Sequence, residues 1–92
     1  MAWLIISTAQ YERRAVKFFK RNPQLLSQYE KTLQLLEANP HHPSLRLHAL
    51  RGKLVGLHSI SINMSHRITL ELLVTDGEIH LINIGTHGEV YR

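Results

Sequence analysis

The sequence predicts an α+β domain: a β-α-α-β-β-β chain with a helical hairpin packed on one face of a mostly antiparallel sheet. Three observations carry that expectation. Between residues 8 and 39 the apolar positions recur at helical spacing, in two runs broken at Asn22-Pro23. From Leu57 onward the apolar period falls to two. Asp76-Gly77 then separates two alternating runs and is a hairpin signature, because both residues tolerate the left-handed backbone of a tight turn.

Each element follows from its own residues. Trp3 to Ser7 reads as a short buried strand. Ser7 or Thr8 suits a helix N-cap, and Ser7 with Gln10 three residues on fits a capping box. Tyr11, Ala15, Phe18 and Phe19 fall on one helical face, with Glu12, Arg13, Arg14, Lys17, Lys20 and Arg21 on the other. Asn22 is placed as N-cap and Pro23 as first residue of a second helix, striped by Leu25, Leu26, Tyr29, Leu33 and Leu36 and ended by Asn39-Pro40. His41 to Ser44 is a loop. From Leu45 to Val55 the signal is mixed, and Gly52 and Gly56 imply turns or bulges. His58, Ile60 and Ile62 then alternate with Ser59, Ser61 and Asn63, and Asn63-Met64-Ser65 is a turn. Arg67, Thr69 and Glu71 alternate with Ile68, Leu70 and Leu72, and Ile79 to Ile84 is the closing strand. No repeat, linker or composition shift divides the chain, so residues 1–92 form one domain.

Composition narrows the chemistry. A chain of 92 residues, 43% of them apolar, supports a real but thin core. The absence of cysteine excludes disulfides and thiolate metal sites. No apolar run approaches the ~20 residues of a membrane span, and Trp3-Leu4-Ile5-Ile6 has no basic stretch before it, so a cytoplasmic protein without membrane contact is expected. A net charge of +4 points to an anionic partner. There is no phosphate-cradling glycine loop, Gly-x-Ser-x-Gly elbow or His-Glu-x-x-His. His41-His42 lacks zinc-site spacing, so neither metal nor cofactor is expected.

The chemistry concentrates at the end of the chain. In Gly85-Thr86-His87-Gly88-Glu89-Val90-Tyr91-Arg92, a Gly-Thr-His turn leaves an apolar strand and an aromatic follows four residues after the His. RNA chemistry uses such a set: imidazole exchanges protons near neutral pH, an aromatic ring stacks on a base, and a cation meets phosphate. His87 is therefore a candidate general acid or base, or else a surface turn residue. Arg67 offers a planar fork for phosphate, or a salt bridge to Glu71 or Glu78. Tyr91 either stacks on a base, donates a proton or packs on the sheet. Arg51 and Lys53 beside Gly52 suit phosphate positioning or are solvated charges. If Ile60 and Ile62 face the helices, Ser59, Ser61 and Asn63 face the other way, alongside Arg67 and Thr69. His48 is ambiguous between groove and loop, and His58 and His80 read as half-buried strand residues.

The chain resembles the RelE/ParE toxin superfamily of type II toxin–antitoxin pairs, and most closely the YafQ-like and RelE/StbE-type mRNA interferases. The resemblance rests on Asn39-Pro40-His41-His42-Pro43-Ser44-Leu45, on His48-x-Leu50-x-Gly52-Lys53-Leu54-x-Gly56-Leu57, on Arg67-Ile68, and on Ile82-Asn83-Ile84-Gly85-Thr86-His87-x-Glu89-Val90-Tyr91. It implies a RelE-like fold, with His87 as catalytic His, Tyr91 as the C-terminal aromatic and Arg67 as a phosphate-binding Arg. It places His48, Arg51 and Lys53 where members present His or basic residues to RNA, and Arg92 joins them as a further cation. Ser61, Ser65 and Asn63 would line the polar groove. Ser61 stands where YafQ-like members carry a second catalytic His, and Ser65 and Gly88 stand where relatives often have Asp; RelE-like members use an Arg/Lys/Tyr set instead.

The activity so implied is metal-independent mRNA cleavage in the ribosomal A site, by attack of the 2′-OH on the adjacent phosphate. The implied partners are mRNA, the ribosome, and a cognate antitoxin that is acidic and partly disordered, docking in the apolar groove between helices and sheet edge. Operator DNA would be met only through the antitoxin complex. Two alternatives share the fold: a ParE-like inhibitor of DNA gyrase, and a catalytically weak toxin acting as an antitoxin- and operator-binding module.

Overall fold

The computed structural model describes residues 2–91. In chain order the elements are β1 (Leu4–Ser7), α1 (Ala9–Arg21), α2 (Leu26–Ala38), β2 (His48–Ala49), β3 (His58–Ser61), β4 (His66–Leu73), β5 (Glu78–Thr86) and α3 (His87–Val90). The strands form one sheet in the order β1-β5-β4-β3-β2. β5 lies between the first strand and β4, so it is parallel to β1, with Leu4 opposite Glu78 and Ser7 opposite Leu81. The other three pairs are antiparallel. The expected architecture gains two elements. β2 is a two-residue edge strand inside the segment of mixed signal, too short to display a period. α3 is a single turn at the end of the chain.

One cap is decided between its two candidates and another changes. Thr8, not Ser7, caps α1: its hydroxyl accepts from Tyr11 N–H at 3.1 Å. Ser7 is still paired in β1, and its Oγ donates to the Glu12 carboxylate at 3.0 Å, so no Ser7–Gln10 box forms. Asn22 closes α1 rather than opening α2. Its Nδ2 donates to Phe18 O at 3.0 Å, as does its backbone N–H. Pro23–Leu25 then form a 3-10 turn before α2 begins at Leu26. The Asp76-Gly77 turn is longer than a two-residue hairpin. Val74–Gly77 form a four-residue connection, with Asp76 N–H donating to Leu73 O and Gly77 in the left-handed region at φ +68.

The core lies between the helices and one sheet face. Tyr11, Phe18 and Leu36 meet Ile60, Ile68, Leu70, Ile79 and Leu81, all buried. On β5 the buried positions change from odd (Ile79, Leu81) to even (Ile84). The register explains it: Thr69 pairs Asn83 and Leu70 pairs Leu81, so Ile82 is an extra residue in a bulge. Arg14 Nη1 donates to the Ile82 carbonyl at 3.0 Å and ties the bulge to α1.

Between α1, α2 and the β1–β5 edge runs an open groove of about 770 Å³, lined by Ile5, Ala15, Phe19 and Leu33 among others. The hydroxyls of Tyr11 and Tyr29 lie 2.9 Å apart on it. Burial holds both hydroxyls above the ordinary tyrosine pKa.

Candidate active site

With Ile60, Ile68 and Leu70 turned to the helices, alternation turns Ser59, Ser61, Arg67 and Thr69 to the opposite face. Arg67 occupies the middle of one row, opposite Ser61 on β3 and Gly85 on β5. Its Nη1 donates to Ser61 Oγ at 2.9 Å. The adjacent row runs His48, Ser59, Thr69 across β2, β3 and β4. Arg67 Nε and Thr69 Oγ1 are buried with no hydrogen-bond partner among the described residues. Glu78 bonds His80 at 2.9 Å, and Arg67 has no carboxylate partner among the described residues. An unpaired buried polar group costs about 1–3 kcal/mol, which a bound acceptor would recover.

The C-terminal segment closes over this face. Gly85 and Thr86 are not a turn, as the sequence suggested, but the end of β5, and His87 is the first residue of α3. A capping box fixes the start of α3: Glu89 N–H donates to Thr86 Oγ1 at 3.3 Å, and Thr86 N–H donates to Glu89 Oε1 at 2.9 Å. Its Thr-x-x-Glu signature is present in Thr86-His87-Gly88-Glu89 and identifies the helix start from sequence. Gly85 leaves room for Glu89, since a Cβ there would lie 3.0 Å from Glu89 Oε1 and 3.1 Å from its Cβ.

A one-turn helix puts His87 and Tyr91 on one side and Glu89 on the other. The His87 and Tyr91 rings meet edge-on, centroids 4.2 Å apart at 85°. The Tyr91 hydroxyl donates to Ser59 Oγ at 2.7 Å, across 32 residues of chain. His48 Nε2 lies 3.5 Å from the same hydroxyl.

The hydrogen-bond network orients His48. Its Nδ1 is 3.1 Å from Arg46 O, and a carbonyl only accepts, so Nδ1 carries the hydrogen. Nε2 of the neutral ring is then a bare lone pair. Tyr91 has one hydroxyl hydrogen, directed to Ser59, so the Nε2 contact becomes a hydrogen bond only when the ring is protonated. Arg46, in the left-handed region at φ +51, ends a 3-10 turn and supplies that carbonyl. His48 is thereby presented as a proton acceptor beside the Tyr91 hydroxyl, and exposed His87 meets the Tyr91 ring edge-on.

Other expected site residues fall elsewhere. Arg51 and Lys53 are exposed in the β2–β3 loop, and no polar contact joins them to His87, Arg67 or Tyr91 among the described residues. Asn63 ties the β3–β4 turn: its Oδ1 accepts from Ser65 N–H and His66 N–H, each at 2.8 Å. Ser65 is exposed in that turn. Asn63 and Ser61 do share a shallow concavity of about 130 Å³ with Arg46. Arg92 lies outside the described residues. Among the described residues no group of three or more His, Asp or Glu could hold a metal ion, and no helix is long and apolar enough to cross a membrane.

This architecture is that of the RelE/ParE-type toxins. YafQ from Escherichia coli superposes with a TM-score of 0.77 at 18% identity, over 96% of this chain and 97% of that one. YafQ in the Escherichia coli DinJ–YafQ toxin–antitoxin complex gives 0.77 at 19% identity over the whole of both chains. The matching chain of a RelBE toxin–antitoxin complex from Mycobacterium tuberculosis gives 0.71 at 14% identity, over 95% of this chain and 100% of that one. No protein-family model and no curated protein matches the sequence.

Proposed function

We propose that this chain is the toxin of a toxin–antitoxin pair and cleaves mRNA without a metal. The observation that carries the reading is the cluster in which His48 and His87 flank Tyr91, next to Arg67 held by Ser61. Cleavage by transesterification needs these parts. One imidazole removes the proton of the 2′-OH, and the oxygen attacks the adjacent phosphorus. The bond from phosphorus to the 5′ oxygen breaks, and a protonated imidazole donates to that oxygen. The products are a 2′,3′-cyclic phosphate and a 5′-OH. His48, with Nε2 unprotonated and its tautomer fixed, suits the base. His87, exposed beside the Tyr91 ring, suits the acid. Arg67 stabilises the charge on the phosphorane. Ser61, which replaces a histidine of YafQ-like relatives, here orients Arg67 rather than transferring a proton.

The fold likeness to toxins solved with antitoxins supports a cognate antitoxin. The groove beside Tyr11 and Tyr29 is a suitable seat for the apolar side of a segment that folds on binding. Ribosome-bound mRNA is the substrate that family resemblance favours.

The test is single-turnover cleavage of a message on programmed ribosomes, with EDTA present and the product ends analysed. We expect cyclic-phosphate ends, and losses of about 10²–10⁴-fold for His87→Gln and for His48→Gln separately. Loss of less than tenfold for His87→Gln removes the assignment. Growth arrest without RNA cuts, with gyrase inhibited, supports the ParE-like reading.

A further inference from the structure

The net charge of this protein is not spread over its surface. α1 holds Arg13, Arg14, Lys17, Lys20 and Arg21 against a single carboxylate, Glu12, and so carries +4 by itself. The whole chain is also +4, so its remaining six cations and six carboxylates cancel. At 3.6 residues per turn the five cations fall within about 120° of the helix circumference, and no acidic residue of α1 lies in that arc. The core side chains Tyr11, Ala15, Phe18 and Phe19 occupy the other side, and Glu12 lies outside the arc.

The inner edge of this arc forms one wall of a cleft. Arg14, Lys17 and Arg21 face Asn83, Ile84 and Glu89 around a space of about 210 Å³. Glu89 is on α3, and the opposite side of that turn carries His87 and Tyr91. Glu89 puts a carboxylate in the cleft, and its Oε1 accepts from Thr86 N–H. The basic arc therefore runs up to the segment that bears the candidate catalytic imidazole.

We propose that the outer face of α1, with its cleft against α3, is a second RNA-binding surface that holds backbone phosphates of the strand whose cleaved link lies at His87. This rests on the RNA-cleaving reading of the His87 site. It adds to the β2–β3 loop, whose Arg51 and Lys53 lie in a stretch, residues 38–70, that also holds cations and no carboxylate. An acidic protein is the poorer fit. Protein interfaces have apolar centres, whereas the arc holds only cations and Gln10, of which Lys20 alone reaches the apolar groove. Phosphate needs cations alone.

The experiment is the salt dependence of binding to a fluorescent 12-nucleotide 2′-O-methyl RNA, which cannot be cleaved because its nucleophile is blocked. For single strands, log K falls with log salt by about 0.7 per neutralised phosphate, so Lys17→Gln/Arg21→Gln should lower the slope by about 1.4. Adding Arg14→Gln should bring the reduction to about 2. Arg14 also holds the β5 bulge, so the double variant decides if the triple variant does not fold. Net charge is controlled by adding Glu30→Gln/Glu37→Gln on exposed α2 positions, which returns the double variant to +4. The proposal requires the slope to stay low in that quadruple variant. A slope restored by charge on α2, or one never lowered, overturns it, as does lost binding to an acidic partner with RNA binding intact. Binding and cleavage fail separately: a lowered slope in a protein that never cuts RNA keeps the surface and removes the catalytic reading.

Discussion

Replacing Tyr91 by Phe separates two roles for this residue, because it deletes the hydroxyl and keeps the ring. The hydroxyl donates to Ser59 Oγ at 2.7 Å, and Ser59 is fully buried. Leaving that oxygen without its donor costs about 1–3 kcal/mol. For a domain of this size each kcal/mol lowers Tm by about 4–8 °C. The ring contact with His87, at 4.2 Å between centroids, survives the change. Since the only hydroxyl hydrogen is directed to Ser59, the proposed mechanism gives Tyr91 a positioning role and not that of proton donor. Tyr91→Phe should therefore melt several degrees lower yet keep single-turnover cleavage within about tenfold, while His87→Gln loses about 10²–10⁴-fold. The assays are a thermal melt and ribosome-programmed cleavage. A Phe variant with unchanged Tm, or one as inactive as His87→Gln, refutes the reasoning.

Further perturbations test other parts of the structure. Gly85→Ala puts a Cβ 3.0 Å from Glu89 Oε1 and should shift that carboxylate and loosen α3, with Thr86→Ala giving a similar loss of cleavage through the same cap at a stability cost of about 0.5–2 kcal/mol. Tyr29→Phe strands the buried Tyr11 hydroxyl and should cost about 1–3 kcal/mol by denaturant unfolding, while Tyr11→Phe/Tyr29→Phe together cost less than the single change. Burial raises both tyrosine pKa values, so the unfolded chain releases these protons first as pH rises. Stability should accordingly fall above about pH 10, and the double Phe variant should flatten that fall. Leu36→Ala, at a position with no exposure, should cost about 2–5 kcal/mol.

The hydrophobic pattern made the layers legible. Tyr11, Phe18 and Leu36 on one side and Ile60, Ile68 and Leu70 on the other were all placed by spacing, and they form the core. Alternation also put Ser59, Ser61, Arg67 and Thr69 on the free face. What local pattern does not contain is pairing between distant segments. Nothing near Tyr91 marks Ser59 as its partner, and nothing in the mixed stretch after Leu45 marks His48 as a strand residue held by Arg46 O. The bulge at Ile82 is invisible for a similar reason: it is defined by β4, not by β5 alone. Asn22 closes α1 instead of opening α2, and of Ser7 and Thr8 it is Thr8 that caps α1, because one polar residue between two elements serves either and tertiary context decides. The Thr86–Glu89 box was readable and marks where the C-terminal turn begins.

The most direct test of the central claim is inducible expression without antitoxin, wild type against His87→Gln, with mRNA 5′ ends mapped by primer extension. The His87 site as described predicts growth arrest and cuts inside coding regions for the wild type and neither for His87→Gln. Arrest without cuts, or equal cutting by both proteins, contradicts it.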